Sequence, residues 1–125
     1  MAGYPSKLKL AVVDDDLDVR RAMGRFLRSY GHDVQAFDSA EAYLADDYEP
    51  DCAILDLELP GLSGLELEQR LRQQGCHVPV VFVSAHDDLV ARTKAIQPKA
   101  QFLRKPLDEA GLLAAIAHAT GSLAV

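Results

Sequence analysis

The sequence predicts an α/β fold, a doubly wound five-stranded parallel sheet with helices on both faces. Five short runs rich in Val, Ile, Leu or Phe alternate with segments of helical spacing. The runs Ala11–Val13, Cys52–Leu55 and Val80–Val83 are continuously apolar rather than alternating, as strands covered on both faces must be. The length of 125 residues is that of one domain with a single core, expected over residues 7–120, with 121–125 a tail or the start of a linker.

The elements follow in order along the chain. Leu8–Val13 reads as the first strand. Val19, Ala22, Met23, Phe26, Leu27 and Tyr30 make one apolar helical stripe, closed by Gly31. Asp33–Phe37 is the second strand, and Ser39 caps a short helix through Ala45. Cys52–Leu55 is the third strand, followed by a helix from the cap Ser63 through Gln74. Pro79–Val83 is the fourth, and Asp88–Ile96 after it has the weakest helical pattern. Ala100–Leu103 is the fifth, and Asp108 caps a last helix through Thr120, where Leu112, Leu113, Ile116 and Ala117 share a face.

Composition excludes several function classes. Apolar residues at 49% and charged residues at 26% are those of an ordinary globular domain. Thirteen Lys and Arg against nineteen Asp and Glu give a net charge of −6 with no basic cluster, so a nucleic-acid-binding face is not expected. The longest apolar stretch, Val78 to Val83, is broken by Pro79 and too short to span a bilayer, which takes about 20 residues. The N-terminal residues lack the apolar core of a secretory signal, and there are two cysteines, so a cytoplasmic location is expected. Cys52 reads as a core residue and Cys76 as a loop thiol; neither is assigned a function.

In open α/β sheets ligands bind beyond the carboxyl ends of the strands. The first strand ends in Asp14, Asp15 and Asp16, the third in Asp56 with Glu58 close behind, the fourth in Ser84, and the fifth in Arg104-Lys105-Pro106. Asp16 reads as a helix cap. The remaining acids would repel one another in a cleft unless a cation neutralised them, which points to a divalent metal. Carboxylates with water suit Mg²⁺ or Mn²⁺, and no His or Cys stands at these strand ends to favour zinc. A metal beside an ammonium and a hydroxyl is a cradle for a phosphoryl group, in which one carboxylate can be the nucleophile. Asp56, with the fewest acidic neighbours, is the candidate.

These motifs, Val13-Asp14-Asp15-Asp16, Ile54-Leu55-Asp56-Leu57-Glu58-Leu59-Pro60-Gly61 with Gly64, Val83-Ser84-Ala85 and Phe102-Leu103-Arg104-Lys105-Pro106, resemble a response-regulator receiver domain of two-component phosphorelay systems. The match runs from Leu8 to about Ala119, and the Asp56 segment with Gly64-Leu65-Glu66-Leu67 is most similar to receivers of LuxR-type transcriptional regulators. The resemblance implies a flavodoxin-like sheet of strand order 2-1-3-4-5. It also implies phosphoryl transfer from the phosphohistidine of a sensor histidine kinase to Asp56. Mg²⁺ would be held directly by Asp15 and Asp56, through water by Asp14, and by the Glu58 backbone carbonyl. Lys105 would pair with the phosphoryl oxygens, helped by a cis Lys105-Pro106 bond, while Ser84 and Phe102 would act as switch residues. The implied output is a rearranged strand 4-helix 4-strand 5 surface, homodimerisation on phosphorylation, and DNA contact only through an output domain absent from this chain. A free-standing receiver acting by protein contact is the alternative output.

The sequence departs from the family where Pro98-Lys99-Ala100 replaces the usual Gly-Ala pair before the fifth strand, and Pro98 must end or distort the preceding helix. Glu58 and His86 stand two residues beyond site residues. The resemblance implies that these two positions tune the phosphoryl lifetime; Glu58 reads as a solvated side chain or, alternatively, as one that reaches toward the metal or competes for it, and His86 as a loop residue. Two rival classes are a small Mg²⁺-dependent phosphatase with an Asp nucleophile and a flavodoxin-like cofactor binder. The first carries its nucleophile on the first strand of its motif order, and here the candidate is on the third. The second needs a phosphate loop after the first strand, where this chain has acids. A domain that catalyses only its own phosphorylation and dephosphorylation, rather than an enzyme with an external product, is the expectation.

Overall fold

In the computed structural model, which describes residues 7–121, strands and helices alternate throughout. They are β1 (Lys9–Val13), α1 (Leu17–Ser29), β2 (Asp33–Phe37), α2 (Ala40–Leu44), β3 (Cys52–Asp56), α3 (Gly64–Gln73), β4 (Val80–Ser84), α4 (Asp87–Ile96), β5 (Gln101–Arg104) and α5 (Glu109–Thr120). The strands form one parallel sheet in the order β2-β1-β3-β4-β5. This is the doubly wound flavodoxin-like fold expected.

Successive residues of the central strands serve two different cores. Leu10, Val12, Cys52, Ile54, Val81 and Val83 face Met23 and Leu27 of α1 and Leu112 and Ile116 of α5. Ala11, Val13, Ala53, Leu55 and Phe82 face Ala40 and Tyr43 of α2 and Leu67 and Leu71 of α3. Burial on both faces is why these strands are apolar without a period of two. Cys52 is a buried thiol, pushed up to about 12 by burial, while Cys76 is exposed in the loop before β4.

Helix starts are set by side chains that accept otherwise unpaired N–H groups. Asp16 accepts from Asp18 and Val19, Ser39 from Ala42, and Asp108 from Gly111. Ser63 and Glu66 form a reciprocal capping box. Gly31, in the turn between α1 and β2, has φ of 89°, a conformation open to glycine. Gly64 has a different reason: a β-carbon there would collide with the Asp56 carbonyl oxygen, so its absence lets α3 start against the end of β3.

Two sets of boundaries differ from the sequence reading. Strands β3, β4 and β5 each run one residue further, because the ladder continues through the polar positions, pairing Asp56 with Val83 and Ser84 with Arg104. Leu8 and Pro79 and Ala100 lie just outside their strands. The weak helix is real, starting at Asp87 and stopping at Ile96, two residues before Pro98. The predicted tail, beyond residue 121, lies outside the described residues.

Candidate functional site

The order β2-β1-β3 reverses the direction of winding between β1 and β3, and a crevice opens where connections leave a sheet in opposite directions. Asp14, the residue after β1, and Asp56, the last of β3, fall at that point and are 2% and 3% exposed. Asp15 lies beside them at the surface, and one carboxylate oxygen from each of Asp14, Asp15 and Asp56 lies within 4.8 Å of the others. The edge strand β5 brings Lys105 across to the same crevice, where its ammonium sits 2.8 Å from Asp14 Oδ2 and 3.0 Å from Asp56 Oδ2. The Lys105-Pro106 bond is cis.

Each buried oxygen is accounted for. Asp14 Oδ1 accepts from the Asp16 N–H and Asp56 Oδ1 from the Glu58 N–H, both at 2.9 Å. Arg20 of α1 donates to the Asp14 carbonyl at 2.8 Å. Burial pushes the Asp56 carboxyl above its ordinary value, with the Glu58 N–H and the Lys105 ammonium working against that rise. Burial would lower the Lys105 ammonium, but Asp14 and Asp56 outweigh it and hold it above its ordinary value. Three carboxylates against one ammonium leave the crevice negative, and hard oxygen donors of this kind fit a small divalent cation.

Asp16 turns away to cap α1 and takes no part in the cluster. Ser84 is fully buried, yet its hydroxyl is turned toward Glu58 and His86 rather than Asp56. Phe102 is half-buried, tilted against Phe82 with ring centroids 5.5 Å apart, and the Lys94 ammonium of α4 lies over its ring, 5.8 Å from the centroid.

Two residues were under-read from sequence. Glu58 is not merely solvated: its carboxylate accepts from the Ala85 N–H at 3.2 Å and lies 2.6 Å from His86 Nε2. His86 is accordingly more than a loop residue, since it also occupies the cap position of α4. The signal was available in the shared offset, two residues beyond Asp56 and two beyond Ser84, which becomes a contact once β3 and β4 are adjacent in the sheet. Arg104 also pairs with Asp87, joining the end of β5 to the start of α4.

Comparison with known proteins gives the same picture. Residues 10–117 match the model of the response regulator receiver domain. Nodulation protein W of Bradyrhizobium diazoefficiens is 38% identical over 119 residues, covering 92% of this chain and 52% of that protein. Response regulator protein TmoT of Ectopseudomonas mendocina is 40% identical over 108 residues, covering 84% of this chain and 49% of that protein. A crystal structure of a response regulator receiver protein from Burkholderia phymatum superposes with a TM-score of 0.78 at 39% identity, covering 94% of this chain and 98% of that one. The chain thus spans about half the length of the curated relatives it matches, and nearly all of a solved receiver. It belongs to the response regulator receiver domains, the phosphoacceptor modules of two-component signalling.

Proposed function

We propose that Asp56 is the phosphoacceptor and that a sensor histidine kinase is the donor. A carboxylate oxygen of Asp56 attacks phosphorus, the phosphorus–nitrogen bond of the phosphohistidine breaks, and the imidazole, which already carries a proton on its other ring nitrogen, leaves neutral. The product is an acyl phosphate, labile to water and therefore suited to a transient signal. The observation that carries this reading is a buried carboxylate held between the Lys105 ammonium and a backbone N–H, with two further carboxylates at its side.

Asp14, Asp15 and Asp56 would hold Mg²⁺ or Mn²⁺, with the Glu58 backbone carbonyl as a further donor. When bound, such an ion neutralises the carboxylates and screens the incoming phosphoryl oxygens. Lys105 supplies the protein's own positive charge to those oxygens. The phosphoryl dianion then recruits the Ser84 hydroxyl, and the loss of Ser84 from its present position lets Phe102 move inward behind it. The surface of β4, α4 and β5 is thereby altered for a partner.

The expected setting is cytoplasmic, with no external small-molecule product. No helix among the described residues is long and apolar enough to cross a membrane. Among relatives named as transcriptional regulators is FixJ of Azorhizobium caulinodans, 36% identical over 120 residues. This favours a transcriptional output; the LuxR-type resemblance of the Asp56 segment adds DNA contact by a domain outside this chain and dimerisation on phosphorylation to the proposal.

The test is intact mass after incubation with Mg²⁺ and acetyl phosphate. A gain of one phosphoryl mass, lost with EDTA and in Asp56→Asn, is expected. A gain that persists in Asp56→Asn would overturn the assignment.

A further inference from the structure

Glu58 engages the groups that a phosphoryl group on Asp56 would have to capture. Its Oε1 accepts from the Ser84 hydroxyl at 3.3 Å and from the Ala85 N–H at 3.2 Å, while Oε2 is held 2.6 Å from His86 Nε2. Ser84 is fixed from the other side as well, because its Oγ accepts from the His86 N–H at 3.0 Å. The serine has one proton to give, and the acceptors within reach are Glu58 Oε1 and the His86 carbonyl, each at 3.3 Å. No hydrogen bond joins Ser84 to Asp56, whose own oxygens are taken by Lys105 and by the Glu58 N–H.

We propose that the Glu58 carboxylate, anchored by His86, is an internal anion that occupies the Ser84 hydroxyl and the Ala85 N–H in the unphosphorylated protein and has to be displaced when Asp56 is phosphorylated. The proposal rests on the phosphoacceptor reading of Asp56 and extends it with a positioning residue. Two effects drive the displacement in the same direction. The serine proton can serve only one acceptor at a time, so the phosphoryl group and Glu58 compete for it. A dianion on Asp56 also repels the Glu58 carboxylate two residues away, an interaction weakened little by water in a half-buried crevice. Removing the carboxylate should therefore free the serine and favour the phosphoryl-bound arrangement.

The measurement is the affinity of the protein for beryllofluoride, a phosphoryl mimic, in Mg²⁺, for wild type, Glu58→Ala, Glu58→Gln and His86→Ala. Glu58→Ala should bind about 3- to 10-fold more tightly, the worth of one long hydrogen bond. His86→Ala should shift affinity in the same direction by less, and Glu58→Gln, which keeps an acceptor oxygen without the charge, should fall between wild type and Glu58→Ala. A Ser84→Ala background separates the competition from the repulsion: there the gain from Glu58→Ala should shrink to the part that removing the charge supplies on its own. Affinity of Glu58→Ala equal to or weaker than wild type would overturn the proposal, as would a gain that survives undiminished in Ser84→Ala. A folded wild type that binds no beryllofluoride would instead sink the phosphoacceptor reading itself, and the displacement with it.

Discussion

β3 and β5 end at the same edge of one sheet, yet all residues of β3 are buried and none of β5 is. The contrast extends to their helices. α1 turns Met23, Gly24 and Leu27 into the core and has Asp16 as a hydrogen-bonded cap. α4 buries only Thr93, has His86 at its cap position without a side-chain cap bond, and leaves Ile96 54% exposed. The central half of the sheet thus holds Asp14 and Asp56 on strands that have no room to move. His86 and Phe102 belong to α4 and β5, which have little packing to hold them in one place, and Ser84 ends the buried β4 where it meets them. Lys105, at the end of β5, bridges the two, so a change of charge at Asp56 is felt first by the half that resists least.

The contrast can be broken by equal insults to each side. Leu55→Ala in β3 should cost about 3 kcal/mol of unfolding free energy, as cavity-forming changes at a fully buried leucine do. Ile96→Ala in α4 should cost less than about 0.5 kcal/mol. Urea unfolding of the two variants checks the ratio, and similar costs would mean that α4 is better held than its contacts indicate.

Lys105→Met tests the bridge. It leaves Asp14 and Asp56 facing each other without a cation, and should cost about 2 kcal/mol. That is below the 3–5 kcal/mol or so of a fully buried pair, because Lys105 is 20% exposed. Millimolar Mg²⁺ should recover more of the melting temperature in this variant than in wild type.

Asp56→Asn should stabilise the protein by an amount that grows with pH. Because burial raises its folded value, Asp56 contributes most to stability below the ordinary carboxylate range, and that contribution is lost as pH rises through the raised value. The stability gap between Asp56→Asn and wild type should therefore widen as pH rises from the ordinary carboxylate range and level off once pH has passed the raised value. Thermal melts without divalent metal would show it. Last and smallest, Asp16→Ala should cost about 1 kcal/mol through loss of the α1 cap.

The same contrast decides what could be read from the sequence. β1 and β3 announced themselves because burial on both faces makes Leu10–Val13 and Cys52–Leu55 continuous apolar runs, and fixing those strands places Asp14, Asp15 and Asp56 at one crevice. Lys105 and Ser84 followed, since a parallel sheet puts every strand's carboxyl end on one edge. The helical pattern of Asp88–Ile96 was faint for a physical reason: a helix that buries one threonine writes no apolar stripe. Glu58 and His86 were missed as partners because their contact exists only across the β3-β4 pairing, which neither residue encodes locally. Asp56 and Ser84 were placed just beyond their strands because a polar residue after an apolar run looks like its end. Backbone pairing carries the ladder one residue further.

The most direct test of the central claim, that charge at Asp56 moves the loosely packed half and spares the other, is amide hydrogen exchange with and without Mg²⁺ and beryllofluoride. Protection should change in residues 84–107, covering the end of β4, α4, β5 and the Lys105 loop, and stay constant in β1, α1 and the core of β3. Changes spread evenly over the sheet, or confined to β1 and α1, would contradict it.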